Sequence, residues 1–301
     1  MTNRRDFLKK TSLIVVGGVM GGSILSSCSS AKSISATAAN TPKKHIGLQL
    51  YSLRDDVKNM GIKKVLKIVA GMGYVNLETA GYADGKIYGI APAKFKKMVD
   101  DLGMKVTSAH LGRNLSDNRD DDLAWWKKAV EAHAAAGLKY MIMAWAPLKD
   151  LKDATMDNAK KYSDYFNSIG EIVAAANISF GYHNHNFEFE NKIDGTPLYD
   201  LLLKNTNPDH VMFENDVYWC QKGGGNPIEY MKKYPQRIRL LHIKDETVIG
   251  ASGTIDFKAI FNQAYTNNIN DWYVEVERYD GTPQGDVKKS YDFLAAADFV
   301  K

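Results

Sequence analysis

Seven histidines and a handful of carboxylates carry most of the chemistry available to this chain, and many fall in short clusters. His183-Asn184-His185-Asn186, Glu214 with Asp216, His242-Ile243-Lys244-Asp245, and Glu275 with Glu277 each close a run of strand-like residues. Side chains two apart on a strand share a face. His183 therefore pairs with His185, Glu214 with Asp216, His242 with Lys244, and Glu275 with Glu277. Such charges are costly to bury unpaired, and a divalent cation offsets that cost. One such ion is expected, and a mixture of nitrogen and oxygen donors suits Mn²⁺, Co²⁺ or Zn²⁺ better than Mg²⁺. Glu78 and His110 end two earlier runs and are read as substrate-binding groups. His45 and His210 begin runs, and His133 lies in an Ala-rich stretch; these three are read as structural.

The elements that must position these groups alternate along the chain. Strand-like runs occur at Ile46–Tyr51, Tyr74–Glu78, Lys105–His110, Tyr140–Trp145, Ile178–His183, Val211–Asp216, Ile238–Ile243 and Trp272–Glu277. Several are apolar almost throughout, as strands covered on both faces must be. Between them lie stretches with apolar residues at three- and four-residue spacing, the mark of amphipathic helices. Ile62, Val65, Leu66 and Val69 show it in the first of these. Eight such units within residues 45–301 match the size of a single-domain (β/α)₈ TIM barrel in the α/β class. The rival, a doubly wound sheet, needs fewer strands, and no G-x-G-x-x-G follows the first run. A barrel holds its active site at the C-terminal ends of its strands. The last four strands then aim imidazole, carboxylate, imidazole and carboxylate into one mouth.

Residues 1–27 have a different character. Arg4-Arg5-Asp6-Phe7-Leu8-Lys9 precedes an apolar, Gly-rich stretch and then Leu25-Ser26-Ser27-Cys28. This is the plan of an export signal, of twin-arginine type, with a lipobox whose Cys28 accepts a lipid. Residues 28–44, rich in Ser, Ala and Thr, read as a flexible tether. The expected location is therefore the periplasm or the bacterial envelope membrane, touched only through the lipid at Cys28. These first 27 residues carry three of the four net positive charges. The nearly neutral remainder offers no footprint for a phosphate backbone, so no nucleic-acid partner is expected. A composition 45% hydrophobic and 25% charged excludes a disordered chain. Cys220 stands alone in residues 45–301, so no disulfide forms there.

Several segments together resemble the xylose-isomerase-like barrels, which include sugar phosphate isomerases and epimerases. They are Gly47-Leu48-Gln49-Leu50-Tyr51-Ser52-Leu53-Arg54, Gly73-Tyr74-Val75-Asn76-Leu77-Glu78, Tyr182-His183-Asn184-His185-Asn186-Phe187-Glu188-Phe189, Asn215-Asp216-Val217-Tyr218-Trp219, His242-Ile243-Lys244-Asp245 and Val274-Glu275-Val276-Glu277. The resemblance implies a divalent metal held from strands 5 to 8 by Asp216, His242 and Glu275. On strand 5, where many epimerases use a glutamate that also moves a proton, this chain has His183, with His185 beside it. The expected metal set is His185, Asp216, His242 and Glu275, with His183 the alternative strand 5 ligand. A second departure is Gly250-Ala251-Ser252-Gly253, where relatives often carry Gly-Glu-Gly.

The chemistry implied is removal of a proton next to a sugar carbonyl, giving an enediolate stabilised by a Lewis acid. Glu275, His183 and Lys244 are the candidate catalytic groups; Trp145 and Trp219 are candidates to stack on the small-molecule carbohydrate. Reprotonation on carbon makes the enzyme an isomerase or epimerase. Expulsion of a β-substituent makes it a lyase or hydratase, and an exported enzyme of that kind meets 3-keto-glycosides. A sugar-binding lipoprotein without turnover is the third reading.

Overall fold

A computed structural model describes residues 44–150 and 154–301. The export and lipidation expectations, and the tether apart from Lys44, lie outside the described residues. Eight parallel strands close into a barrel in the order of the chain. They are β1 (Gly47–Gln49), β2 (Asn76–Thr79), β3 (Lys105–Leu111), β4 (Tyr140–Met143), β5 (Ser179–His183), β6 (Val211–Asp216), β7 (Ile238–Lys244) and β8 (Trp272–Glu275). Leu48 pairs with both Leu77 of β2 and Val274 of β8, which completes the ring. This is the expected (β/α)₈ architecture in one domain.

Each strand leads to a helix packed outside the ring: α1 (Ile62–Met72), α2 (Pro92–Asp100), α3 (Arg119–Ala135), α4 (Met156–Ala174), α5 (Leu198–Asn205), α6 (Pro227–Lys233), α7 (Phe257–Thr266) and α8 (Pro283–Ala296). Helix α1 buries Ile62, Val65, Leu66, Val69 and Met72, the spacing of one helical face. Prolines open α2, α6 and α8, where the missing N–H costs nothing. Thr155, Asn226, Asp256 and Thr282 cap helices with their side-chain oxygens.

Inside the ring, Ile142, Met212, Leu240 and Tyr273 pack together as an apolar floor. Gly181 of β5 makes room for it, since a Cβ there would meet Ile142 Cδ1 and Met212 Cε, each at 2.9 Å. The Tyr273 hydroxyl and Thr107 Oγ1 satisfy one another at 2.9 Å.

Three strands are shorter than their apolar runs. β1, β4 and β8 stop at Gln49, Met143 and Glu275, so Tyr51, Trp145 and Glu277 fall beyond the strand ends, at the mouth. After β1 the chain turns at once into a 3₁₀ turn, Leu50–Leu53, where the Gln49 side chain accepts from Tyr51 N–H. Two hairpins, Tyr82–Ile87 and Lys192–Pro197, add short antiparallel pairs outside the barrel. Extra helices run over Arg54–Met60, Phe187–Glu190 and Val217–Lys222. Cys220 is a buried free thiol. Among the described residues no helix is long and apolar enough to cross a membrane.

Candidate active site

The ends of β5 to β8 converge as their spacing requires. His183 closes β5, Asp216 closes β6, His242 lies near the end of β7 and Glu275 closes β8. One ligand atom from each falls within 4.8 Å of the other three. His183 Nε2 is 3.6 Å from Asp216 Oδ2, and His242 Nδ1 is 3.4 Å from Glu275 Oε2. All four side chains are buried. Asp216 is held in place by the backbone, because its Oδ1 accepts from Trp219 N–H at 2.7 Å. Its Oδ2, both ring nitrogens of His183 and His242 Nδ1 have no hydrogen-bond partner. Buried polar atoms are rarely left so. Two imidazole nitrogens and two carboxylate oxygens aimed at one point fit a divalent transition metal.

A second polar layer lies deeper. His110 and Glu214 approach the same two histidines, but here most polar atoms are paired, Glu214 Oε1 excepted. His110 Nε2 is 2.7 Å from Glu214 Oε2. His242 Nε2 donates to Glu78 Oε1 at 2.6 Å, which leaves Nδ1 facing the upper group. Glu78 also accepts from Gln49 Nε2 at 2.7 Å and Ser108 Oγ at 2.6 Å. Burial pushes the Glu78 carboxyl up, yet His110, His242 and the hydrogen bonds of His242 and Ser108 bring it down to about 2. Burial and the Glu78 charge instead raise Glu214 well above the usual carboxylate range. Burial pulls the His242 imidazole down, but the same carboxyls, with Glu275, hold it well above its ordinary value.

Above the upper group opens a cavity of about 330 Å³, lined by Tyr51, His110, Trp145, His183, His185, Glu275 and Glu277 among others. That volume is at the small end for ligand pockets. Trp145 is 40% exposed at its rim. A xylose isomerase-like TIM barrel model of sequence matches residues 66–297. The chain belongs to that family. A solved sugar phosphate isomerase/epimerase of Parabacteroides distasonis is 40% identical, covering 86% of this chain and 100% of its own, with a TM-score of 0.78. A second from the same organism is 37% identical over 88% of this chain and 100% of its own, also at 0.78. The inosose dehydratase of Geobacillus kaustophilus is 22% identical over 74% of this chain and 83% of its own length.

Within this xylose isomerase-like barrel, several expected residues take other places. His183, not His185, contributes to the four-atom group. β5 ends at His183, so the two-residue parity does not carry on to His185. The His185 ring instead stacks on Phe187 with ring centroids 5.8 Å apart, and its backbone N–H donates to Glu188 Oε2 at 2.8 Å. Burial raises the Glu188 carboxyl to about 7. Glu78 is fully buried beneath the site and reaches no part of the cavity wall. Lys244 is 2% exposed, with Nζ 2.6 Å from Glu277 and 3.3 Å from Glu275. It stands behind the wall, not on it. Trp219 also lies off the cavity, near His185 and over the Lys244 ammonium. His110 and Trp145 are on the wall, as expected.

Sequence reasoning assigned no role to Glu277, Tyr51, Gln49 or Ser108. Glu277 had a signal, its two-residue spacing from Glu275. Tyr51 lay within a segment used only for resemblance. Gln49 and Ser108 act from the two neighbouring strands, as register partners of a carboxylate 29 and 30 residues away in the chain.

Proposed function

We propose that this chain is a divalent-metal-dependent sugar isomerase or epimerase that removes the proton beside a carbonyl. The observation that carries this reading is the convergence of His183, Asp216, His242 and Glu275, the first three with buried atoms that lack a partner, beside a sugar-sized cavity that His183 and Glu275 line. A bound cation there supplies Lewis acidity toward the carbonyl and a neighbouring hydroxyl. With His183 and Glu275 serving as ligands, Glu277 and His185 remain on the wall to accept and return a proton. Lys244 holds Glu275 and Glu277 in place from behind. Trp145 presents its face to the sugar. The enzyme is exported and held to the envelope by a lipid on Cys28, a reading supported by the sequence of residues 1–28.

Elimination is the second reading. It is favoured by His183 standing where a two-carboxylate epimerase would need its other acid/base group, and by the similarity to a dehydratase. Incubation with keto-sugars and 3-keto-glycosides in D₂O, followed by NMR, decides between the two. Exchange at carbon without release of a group is the expected result; a freed aglycone or lost water assigns elimination. Ligand binding with neither outcome, and no effect of chelator, leaves a binding protein and overturns both.

A further inference from the structure

We infer that the substrate is an unphosphorylated sugar, whose ring lies against Trp145 and whose hydroxyls meet His110 and Glu277. The inference rests on reading the cavity as a carbohydrate site, and goes beyond it by excluding the phosphate that the related proteins' descriptions invoke.

TIM barrels that bind phosphate commonly do so with backbone N–H groups of the loops after strands 7 and 8. In this chain both loops turn their donors onto carboxylates of their own. After β7, Asp245 accepts from the N–H groups of Glu246 at 2.7 Å, Gly250 at 2.9 Å and Ser252 at 3.4 Å. After β8, Asp286 in the first turn of α8 accepts from Asp280 N–H at 2.7 Å and Gly281 N–H at 2.9 Å. Asp245 and Asp286 are both buried. An incoming phosphate would meet a fixed negative charge in each place where the fold offers it a cradle.

The side chains agree. Among the described residues no lysine or arginine lines the cavity, whereas Glu275 and Glu277 do. The nearby cations are committed elsewhere. Lys244 is buried against those two glutamates. Arg54 donates to Tyr51 O, Tyr279 Oη and Glu277 O. Arg113 is paired with the buried Asp122 at 2.7 Å. A phosphate would therefore enter a pocket whose side chains are anionic, with only the bound cation, already shared with Asp216 and Glu275, to offset its charge. A neutral ring meets an exposed indole and acceptors for its hydroxyls, the usual grip on a sugar.

Isothermal titration tests this with D-fructose, D-fructose 1-phosphate and D-fructose 6-phosphate. It is run on the cation-loaded protein and again after chelation, which separates direct phosphate–cation contact from contacts with the protein. The neutral ketose is expected to bind at least tenfold more tightly than either ester in both states. Trp145→Ala should weaken it at least fivefold with metal content unchanged. An ester that binds as tightly as fructose in either state overturns the inference but leaves the proton-abstraction reading intact, because the D₂O experiment scores that separately. If neither the ketose nor its esters bind, the carbohydrate site falls and the inference with it.

Discussion

His242 works through both of its ring nitrogens, and this division gives the site its chemistry. Nε2–H is spent on Glu78, which turns Nδ1 toward Asp216 and Glu275. Carboxylates placed behind metal-binding histidines in this way orient the ring and raise its basicity. Glu78→Gln keeps a hydrogen-bonding side chain of the same length but removes the charge. Its affinity for Mn²⁺, measured by competition with a chelating dye, should fall by about 10- to 100-fold. Asp216→Ala, which removes a donor outright, should bind no ion by elemental analysis. Wild-type affinity in Glu78→Gln would show that the deeper layer plays no part in metal binding. Glu78 was legible as an inward-facing carboxylate, but not its depth. Strand parity tells which face a side chain takes, whereas depth depends on the stagger of the neighbouring strands. β2 shifts register against β3 between Leu77 and Glu78. His185 failed for the related reason that parity ends with the strand.

At the scale of elements, the barrel strands and helices were readable because they alternate in one regular order, each within an apolar or helically spaced run. The pieces that were missed are those of two to seven residues. Both hairpins carried a signal: Asp84-Gly85 and Asp194-Gly195 occupy their turns with positive φ, the pairing that favours a tight hairpin. The loops after β7 and β8 had no comparable pattern, because their order comes from a single carboxylate each. For Asp286, burial alone would raise the carboxyl, but the Gly281 N–H, Lys289 and the Asp280 N–H outweigh it and hold it below its ordinary value. A depressed folded-state value contributes stability above the unfolded value near 4, and that contribution is lost as pH falls through the folded one. Asp286→Asn should therefore cost about 1.5–3 kcal/mol at pH 7, the range for hydrogen bonds to a charged group. The gap from wild type should narrow as the pH is taken below 4. Urea unfolding at pH 7 and pH 3 measures both. An equal gap at the two values would mean that Asp286 acts through packing instead of charge.

Across the whole molecule, the four upper groups come from four adjacent strands spanning half of the ring, from His183 on β5 to Glu275 on β8. A cation gripped there ties half of the barrel together, and an ion that binds only the folded chain stabilises it by mass action. At a hundredfold excess over Kd the gain is about 2.7 kcal/mol. For a domain of this size that corresponds to a rise in Tm of roughly 5–10 °C. Thermal melts should show this rise with Mn²⁺ in the wild type, its reversal by chelator, and no rise in Asp216→Ala. The comparison is sharp because Asp216→Ala also loses the cap on Trp219 N–H, so its Tm without metal will start lower. Only the metal-dependent increment bears on the ligand set. If that increment survives in Asp216→Ala, the ion sits elsewhere, and the unpartnered atoms at the ends of β5 to β7 need another explanation.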